Sequence, residues 1–415
     1  MKVLWFANTP CNADEYFNNE LKSTGGWLKS LDKEIQNYVD LHIAFYHNKE
    51  QQSFKYDKTT YHPIYVQRTV IKKIYDRFFN HVIDEEHREL YIDIIEKVKP
   101  DIIHIHGTEN SFGCVIPFIN IPVVVSIQGI ITVSLHKYFS GFDKDLLKLT
   151  QARKSNFFLR ESFCSNFKRF RKMAFIEQKN LLYTKFIIGR TDWDRRVTQV
   201  LAPQSRYFYV SEILRDVFYK KKWQVHNRTH VVLHTTNSNT YYKGFETLCL
   251  ALYELNKLGV DCEWNVAGIM STDLIVKTTK IKLGNKYPLR GLNLLGNLNQ
   301  YDLASRLLDS DIYVMTSHIE NSPNNLCEAM MLGMPCISTF VGGSGSLMKD
   351  KESGLLIQNG DPWSLAGAIL ELVQNKELAI SYAQNARREA LDRHDQTKII
   401  RNLIDVYKDT LEEKS

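Results

Sequence analysis

Residues 317–335 read SHIENSPNNLCEAMMLGMP and decide how the second half of the chain folds. They follow a short, β-branched apolar run, as the loop after a buried strand does. Ser322 is a good helix N-cap and Pro323 suits the first helical position, while the apolar residues after them repeat at helical spacing. Gly333 then ends the helix, and Pro335 begins the next strand. The stretch therefore predicts a strand, a loop and a helix in succession, which is the repeating unit of a parallel α/β sheet.

Apolar runs of the same kind recur along the chain and alternate with helical stretches. They lie at residues 2–8, 40–47, 101–107, 123–129 and 185–191 in the first half, and at residues 230–236, 262–268, 293–298, 311–317 and 335–340 in the second. The runs are continuous rather than alternating, as buried parallel strands require, and the segments between them are long enough for crossover helices. We therefore predict an α/β fold of two Rossmann-like, doubly wound domains facing a central cleft.

The polar, basic stretch at residues 220–229 marks the predicted domain boundary. We expect an N-terminal domain at residues 1–222 and a C-terminal domain at residues 223–395. A last helix at residues 396–415 carries apolar side chains at helical spacing and is able to pack on either domain. Ligands bind at the carboxyl ends of the strands in such sheets, so the loops that follow the strands should carry the site.

Composition places the chain among globular proteins. Of its 415 residues, 44% are hydrophobic and 24% are charged, which excludes disordered and collagen-like chains. The seven cysteines are scattered and never spaced C-x-x-C, so they indicate neither a zinc site nor a disulfide framework. The N-terminus lacks the apolar region of a signal peptide, and we expect a cytoplasmic protein. The net charge of +6 is uneven, because 35 basic and 25 acidic residues precede residue 229, against 18 and 22 after it.

Glu320 and Glu328 stand where a ligand would meet the N-terminus of the predicted helix. The free N–H groups and the dipole of a helix N-terminus favour phosphate, and carboxylates accept pairs of hydrogen bonds from vicinal hydroxyls. A phosphate site beside two carboxylates suits a nucleotide sugar. On these residues alone, a capped amphipathic helix with two solvated glutamates is an equally good interpretation.

The seven residues between these glutamates, and the Ala-Met and Gly-x-Pro that follow, resemble the E-x7-E signature of retaining glycosyltransferases of family 4. Other segments are similar to the family's motifs in order and spacing: Gly25-Gly26, the D-h-x-H-x-H-G strand at residues 100–107, Lys243-Gly244, Gly342-Gly343 and the G-L-L run at residues 354–356. The match spans nearly the whole chain and is strongest between residues 243 and 356.

The resemblance implies a GT-B fold, with the acceptor bound mainly by the first domain and the nucleotide-diphosphate sugar mainly by the second. It implies that Glu320 contacts donor-sugar hydroxyls near the reacting carbon, that Glu328 binds the ribose hydroxyls, and that Lys243 stabilises the leaving diphosphate. Glu320 and Lys243 are thus the expected catalytic residues, and Asn324 and Asn325 are expected to donate backbone N–H groups to the donor. The implied mechanism retains the anomeric configuration and needs no protein nucleophile, metal ion or cofactor.

Two departures from the family pattern affect the roles of residues rather than the function. Relatives usually carry an arginine shortly before the lysine, whereas residues 234–242 contain none. The hydroxyl and amide groups of this segment would then bind the phosphate more weakly, or an arginine from elsewhere in the chain would bind it. Gln128 stands where many relatives have a histidine and cannot shuttle a proton at neutral pH, which leaves His136 as a reserve candidate. The acceptor or cleft candidates are Gly25, Gly26, His106, Gln128, His136, Arg190 and Thr191. For Thr191, capping the following helix is an equally good role.

Two further motifs have a structural interpretation beside the functional one. Asp309-Ser-Asp311 spells the metal-binding D-x-D of another glycosyltransferase fold, but directly before a strand it is interpreted as a solvated turn. Residues 153–172 hold seven basic and one acidic residue among five phenylalanines, a pattern typical of a helix on an anionic membrane. A helix that packs its phenylalanines on the core is the competing explanation. Nucleic acid is a rival partner that no other part of the chain supports.

Taken together, these features predict a cytoplasmic enzyme. A peripheral position on the inner face of the plasma membrane, through residues 153–172, stays open beside the packing of this helix on the core. Its predicted reaction moves a hexosyl or related group from a nucleotide-diphosphate sugar to a glycan or lipid-linked saccharide, in surface polysaccharide biosynthesis. Two alternatives stay open. One is a non-catalytic GT-B subunit that binds glycan or a partner enzyme, motivated by Gln128 and the missing arginine, and the other is an epimerase or phosphorylase on the same fold.

Overall fold

The computed structural model describes residues 1–17, 26–67, 87–143, 146 and 163–413, which form two compact units. The first unit contains the described residues up to 135, those between 161 and 213, and those from 394 onward. The second contains those between 136 and 160 and between 214 and 393. Two of the sequence-based predictions, Gly25 and the first half of the basic–aromatic stretch at residues 153–162, lie outside the described residues.

The first unit is built on one sheet of eight strands. These are β1 (Lys2–Ala7), β2 (Asp40–His47), β3 (Phe54–Tyr56), β4 (Thr59–Tyr65), β5 (Ile102–His106), β6 (Val123–Ser126), β7 (Phe186–Gly189) and β8 (Arg206–Tyr209). Their order across the sheet is β3-β4-β2-β1-β5-β6-β7-β8, and all neighbours are parallel except the edge pair β3 and β4. The central strand β5 is buried along its whole length, as its continuous apolar sequence requires.

The second unit is built on six parallel strands. These are β9 (Val231–Thr236), β10 (Cys262–Ala267), β11 (Leu292–Gly296), β12 (Ile312–Met315), β13 (Cys336–Thr339) and β14 (Leu355–Ile357). Their order is β11-β10-β9-β12-β13-β14. In both sheets the strand order reverses once, between β1 and β5 in the first unit and between β9 and β12 in the second. The two doubly wound sheets confirm the predicted α/β class.

Helices connect the strands of both units and cover the sheets. In the described residues they are α1 (Ala13–Tyr16), α2 (Gly26–Ile35), α3 (Arg88–Val98), α4 (Ile131–Lys137), α5 (Phe163–Leu181), α6 (Asp192–Leu201), α7 (Asp216–Lys220), α8 (Phe245–Lys257), α9 (Leu274–Leu283), α10 (Gln300–Leu308), α11 (Asn324–Leu332), α12 (Ser344–Leu347), α13 (Pro362–Gln374), α14 (Lys376–Arg393) and α15 (Gln396–Glu412). Within these residues, none of the helices has the length and apolar character that crossing a membrane requires.

The structure divides the chain nearer to the N-terminus than the boundary expected at residues 222 and 223. The division falls between Ile213 and Leu214, because Leu214, Val217 and Phe218 pack into the core of the second unit. The polar stretch after residue 220 continues along the same unit, where the Trp223 indole donates a hydrogen bond to Ser310 O at 2.7 Å. Apolar anchors within the linker, rather than its polar residues, therefore decide where the second unit begins.

The last helix, α15, packs on the first unit. Its apolar face, which includes Leu403 and Tyr407, belongs to the same hydrophobic cluster as β1 and α2. The buried Tyr407 hydroxyl is 2.7 Å from His104 Nδ1 on β5 and accepts a hydrogen bond from the Trp5 indole at 3.0 Å. The C-terminal residues thus complete the core that the N-terminal residues begin.

Candidate active site

The loops after β9 and β12 meet at the carboxyl edge of the second sheet, where its strand order reverses. A short 3₁₀ turn, Tyr241–Lys243, follows β9, and Gly244 after it adopts a left-handed conformation with φ of 69°. A side chain at Gly244 would overlap the backbone carbonyl oxygen of Thr316, which follows β12. The His318 N–H also donates to Tyr242 O at 2.7 Å. Glycine is therefore needed in the predicted Lys-Gly motif, because the two loops touch through their backbones.

Lys243 and Glu320 form an ion pair across this contact. Lys243 Nζ donates to Glu320 Oε1, and the Ser317 hydroxyl donates to the same oxygen at 2.7 Å. Their side chains are 23% and 11% exposed. Burial lowers the pKa of the Lys243 ammonium, but the Glu320 carboxylate raises it by more, so the pKa lies above its usual value. The edge thus holds a permanent cation beside a carboxylate, and the Gly343 N–H donates to Glu320 O at 3.0 Å to fix this loop.

Glu328 lies on α11 and is paired with an arginine that the sequence interpretation missed. Arg215, which precedes α7, donates from Nε to Glu328 Oε1 and from Nη2 to Glu328 Oε2, both at 2.7 Å. The Glu328 side chain is 5% exposed and that of Arg215 is 23% exposed. Residues 234–242, directly before Lys243, contain no arginine, and the arginine paired with a predicted site residue comes instead from the linker. A lone arginine within the apolar run Ile-Leu-Arg-Asp-Val-Phe was the signal that could have found it.

Helix α11 begins one residue later than predicted, with Pro323 at the N-cap position and Asn324 and Asn325 as its first residues. The N–H groups of the first helical turn have no partner inside the helix, so Asn324 and Asn325 present theirs at the edge of the sheet. The Asn325 side chain donates to Thr236 O at 3.1 Å and so attaches the helix to the end of β9. Within the described residues, Asn324 Oδ1 is buried without a hydrogen-bond donor.

The D-x-D residues are engaged within the fold. Asp311 Oδ2 accepts hydrogen bonds from Arg228 at 3.0 and 3.1 Å and from the Val232 N–H at 2.7 Å. The Asp309 carbonyl oxygen accepts another from Arg228 at 2.7 Å. The motif lies at the entry of β12, as expected, but the Asp311 carboxylate is paired with Arg228 rather than solvated.

The acceptor candidates of the first unit lie after several of its strands. His106, the last residue of β5, is fully buried, and its ring centroid is 4.4 Å from that of Trp5. The Arg190 guanidinium after β7 lies 4.1 Å over the ring of Trp27, the second residue of α2, next to Gly26. Burial, His104 and Arg190 together hold the pKa of His106 well below its usual value, so its ring is neutral. His106, Arg190 and the start of α2 are thus brought together.

The remaining acceptor candidates have other surroundings. Thr191 is the N-cap of α6: its side chain accepts a hydrogen bond from the Asp194 N–H at 3.1 Å, and the Asp194 side chain accepts from the Thr191 N–H. The structure therefore gives Thr191 the capping role. Gln128 is partly buried in the loop after β6, and His136 is exposed in the last turn of α4. The structure describes no hydrogen bond of His136 to the other candidates.

Most of the second unit matches a known protein family. Residues 218–389 match the family model described as Glycosyl transferases group 1. Among curated proteins, the chain is 30% identical over 112 residues to an N-acetyl-alpha-D-glucosaminyl L-malate synthase of Bacillus anthracis, covering 27% of this chain and 29% of the relative. It is 31% identical over 123 residues to a UDP-Gal:alpha-D-GlcNAc-diphosphoundecaprenol alpha-1,3-galactosyltransferase of Escherichia coli, covering 30% of this chain and 31% of the relative.

Solved structures extend the similarity in fold to the whole chain. Sucrose-phosphate synthase of Thermosynechococcus elongatus superimposes with a TM-score of 0.69 at 14% identity, covering 99% of both chains. HepE of Anabaena, solved with UDP and glucose, gives 0.66 at 14% identity, covering 98% of this chain and 99% of that chain. The chain therefore has the fold of GT-B glycosyltransferases, and its residues 218–389 are similar to the group 1 glycosyl transferases. The matched stretch spans about three tenths of the length of the first curated relatives.

Proposed function

We propose that the protein is a retaining glycosyltransferase that moves a hexosyl or related group from a nucleotide-diphosphate sugar to a saccharide acceptor. The observation that carries the proposal is the ion pair between Lys243 and Glu320 where the strand order of the second sheet reverses. A nucleotide sugar has hydroxyl groups on one side of its reactive bond and a diphosphate on the other. A carboxylate and an ammonium group held side by side match these two partners.

The hydrogen bonds of the pair leave capacity for a ligand. An ammonium group has three N–H donors, and in the described residues Lys243 gives one to Glu320, which leaves two for phosphate oxygens. Both described hydrogen bonds to Glu320 end on Oε1, which leaves Oε2 for a sugar hydroxyl. In the proposed reaction, Lys243 stabilises the negative charge that develops on the leaving diphosphate. That diphosphate takes the acceptor proton on the same face of the sugar, so the configuration is retained without a protein nucleophile.

Arg215 and Glu328 support the nucleotide side of the proposal. Arg215 fixes the Glu328 carboxylate on α11 through two hydrogen bonds, and a carboxylate is the kind of group that accepts hydrogen bonds from ribose hydroxyls. The guanidinium adds a second cation near the diphosphate, in place of the arginine that residues 234–242 lack. Two cations and the N–H groups of Asn324 and Asn325 supply positive charge that other enzymes obtain from a metal ion, and we propose that neither a metal ion nor a cofactor is required.

The proposed acceptor is a glycan or lipid-linked saccharide of surface polysaccharide biosynthesis, used on the cytoplasmic side of the membrane. One relative is named as a galactosyltransferase that acts on a diphosphoundecaprenol-linked sugar, which supports this class of acceptor. The described part of the basic–aromatic stretch supports a peripheral position on the membrane. Lys168 and Lys172 on α5 are exposed, and they share one helical face with Phe175, whose side chain is 70% exposed.

Donor use is tested with a panel of nucleotide sugars. Thermal stabilisation identifies the donor first, since a ligand at about 100 times its Kd adds about 2.7 kcal/mol. Release of nucleoside diphosphate with extracted lipid-linked acceptor is then measured for Lys243→Met and Glu320→Gln. Each substitution should lower the rate by about 10² to 10³-fold, because each removes a group that stabilises charge in the transition state. Lys257→Met, an exposed lysine of the same unit, is the control, and near-wild-type rates in either site variant would contradict the assignment.

The alternative is a non-catalytic subunit with the same fold, favoured by Gln128 at a position where many relatives have a histidine. Such a subunit would still be stabilised by a nucleotide sugar but would release no diphosphate with any donor and acceptor.

Membrane association is tested separately with liposomes of anionic and neutral lipid. Binding should require anionic lipid, weaken with salt, and be lost on neutralising Lys168, Arg169, Arg171 and Lys172. Salt-insensitive or absent binding would contradict it.

A further inference from the structure

The point where the strand order reverses in the first unit also carries a polar bridge. The loops after β1 and β5 are joined by Asn8, whose Nδ2 donates to Glu109 Oε2 at 2.8 Å. In the second unit, Lys243 and Glu320 join the loops after the two corresponding strands, β9 and β12. Open α/β sheets bind their ligands at this point. Glu109 therefore occupies the ligand-binding position of the first unit, although none of the sequence motifs includes it.

The backbone around Glu109 holds its carboxylate at the edge of the sheet. Gly107 follows β5 with φ of 87°, and a side chain there would overlap Glu109 Oε2 and the Asn8 amide. On the other side, Gly129 after β6 lies close to the carboxylate, because a side chain built at Gly129 would be 3.7 Å from Glu109 Oε1. Loops after three adjacent strands thus surround the group, while the residue keeps part of its surface exposed. A ligand can reach it without a rearrangement of the fold.

A second carboxylate, that of Glu177, lies near Glu109 and has a different role. Glu177 is 1% exposed and accepts hydrogen bonds from the Thr108 hydroxyl, from the N–H and hydroxyl of Thr132, and from the Ile131 N–H. It therefore caps the N-terminus of α4, and its capacity to accept hydrogen bonds is used within the fold. Glu109 has fewer donors around it and is the carboxylate with capacity left for a ligand.

We propose that Glu109 binds a hydroxyl group of the saccharide acceptor, at a subsite formed by the loops after β1, β5 and β6. The inference rests on the proposed function and specifies the acceptor side of the same reaction. His106, three residues earlier, gives independent support. It is fully buried, and within the described residues neither of its ring nitrogens has a hydrogen-bond partner. A neutral imidazole offers one donor and one acceptor, which are the groups that a second hydroxyl would use.

The environment of Glu109 makes this binding depend on pH. Burial, with a smaller effect from the Glu177 charge, raises the pKa of Glu109 to about 7, against hydrogen bonds from the backbone N–H of Glu109 itself and from the Asn8 side chain, which lower it. The other titratable groups at this edge are His106, which stays neutral, and the Arg190 cation after β7. A carboxylate accepts a stronger hydrogen bond from a hydroxyl group than a neutral carboxyl group does. Acceptor use should therefore increase as the pH rises through about 7.

The test compares wild type with Glu109→Gln, which keeps the shape and removes the charge. The control is Glu96→Gln, an exposed glutamate on α3 of the same unit. The acceptors are octyl glucoside, octyl galactoside and octyl N-acetylglucosaminide, with transfer measured from about pH 5.5 to about pH 8.5. Glu109→Gln should lower kcat/KM for the acceptor by about 10 to 100-fold at the upper pH, as loss of a charged hydrogen bond does. It should also remove the increase near pH 7 and leave the donor Kd unchanged.

Unchanged acceptor kinetics with the same pH profile in Glu109→Gln would overturn the inference. A wild type that neither binds nor cleaves any nucleotide sugar would overturn the proposed function instead. In that case the subsite is tested by saturation-transfer NMR with the same octyl glycosides, which does not require catalysis. Signals that are equal in wild type and Glu109→Gln, or absent from both, would then count against Glu109. The inference is supported if the saturation-transfer signal, relative to wild type, falls more with Glu109→Gln than with Glu96→Gln.

Discussion

Removing the Arg215 guanidinium should destabilise the second unit by about 3 kcal/mol, because the Glu328 carboxylate is then buried without its cation. Breaking a buried ion pair at one partner costs about 3 to 5 kcal/mol. The Glu328 side chain is 5% exposed and loses two hydrogen bonds of 2.7 Å, which favours a large effect. The Arg215 side chain is 23% exposed, so water can enter in its place, and this puts the expected loss at the lower end of the range.

The assay must report on the second unit by itself, since a chain of two units need not unfold in one step. Hydrogen exchange of peptides from α11, measured by mass spectrometry, follows the opening of the helix that carries Glu328. Arg215→Met should increase the exchange rate there by about two orders of magnitude, because a loss of about 3 kcal/mol corresponds to about a hundredfold change in the opening equilibrium. The double variant Arg215→Met/Glu328→Leu should recover most of the protection, because it removes the uncompensated charge and restores an apolar contact.

The control for this comparison is Lys257→Met, which removes one partner of an exposed pair in the same unit. It should leave the exchange of α11 unchanged, since exposed ion pairs contribute little. The reasoning is refuted if Arg215→Met changes the exchange no more than Lys257→Met does. It is also refuted if the double variant is as unstable as the sum of the two single variants, because the charges would then not be coupled.

Three other predictions concern stability. Gly244→Ala should lower Tm far more than Gly259→Ala does. Both glycines have positive φ, but a side chain at Gly259 meets no atom within 4 Å, whereas one at Gly244 overlaps the Thr316 carbonyl oxygen. Equal decreases in Tm would contradict the backbone contact. Tyr407→Phe should cost about 1 to 3 kcal/mol in the first unit, measured by denaturant unfolding, without changing donor affinity. The pKa of Glu109 is about 7 in the folded protein, against 4.5 for an ordinary glutamate. The folded protein therefore loses about 3 kcal/mol of stability as the pH rises from about 4.5 to about 7 and the carboxyl group ionises. Glu109→Gln should accordingly raise Tm at pH 8 and leave it unchanged at pH 4.

The central strands of both sheets could be predicted because burial on both faces leaves a continuous apolar run in the sequence. β1 and β5 are examples, and the second sheet follows the same rule in β9 and β12. Four strands at or next to the sheet edges, β3, β4, β8 and β14, could not be predicted in this way, although the edge strand β11 was. β4 contains Pro63 and β8 begins with Arg206, so neither has the sequence of a buried run, and β3 and β14 have only three residues each. Such strands are defined by their pairing with neighbours in the sheet, which the sequence does not show.

The candidate site shows the same limit at the level of side chains. The position of Glu320 and Glu328 around a predicted helix N-terminus, together with the resemblance to the family 4 motifs, pointed to Glu320, Glu328 and Lys243 as site residues. The partners of these residues come from distant segments, as Arg215 does, and the sequence around Arg215 does not show that it pairs with Glu328. Glu109 was missed for a related reason: its role depends on the reversal of strand order between β1 and β5, which is a property of the assembled sheet.

The packing of α15 on the first unit has a consequence for the order of events during synthesis. All residues between 214 and 393 leave the ribosome before residue 394, so the second unit has that part of its chain available while the first still lacks Leu403 and Tyr407. Domains generally fold as units, from the N-terminus onward, while the chain is being made. In this chain the first unit begins to be synthesised first but completes its core last, because that core needs α15. Until α15 is made, the apolar surface around Trp5 is uncovered, and this is the part of the nascent chain that a chaperone would need to cover.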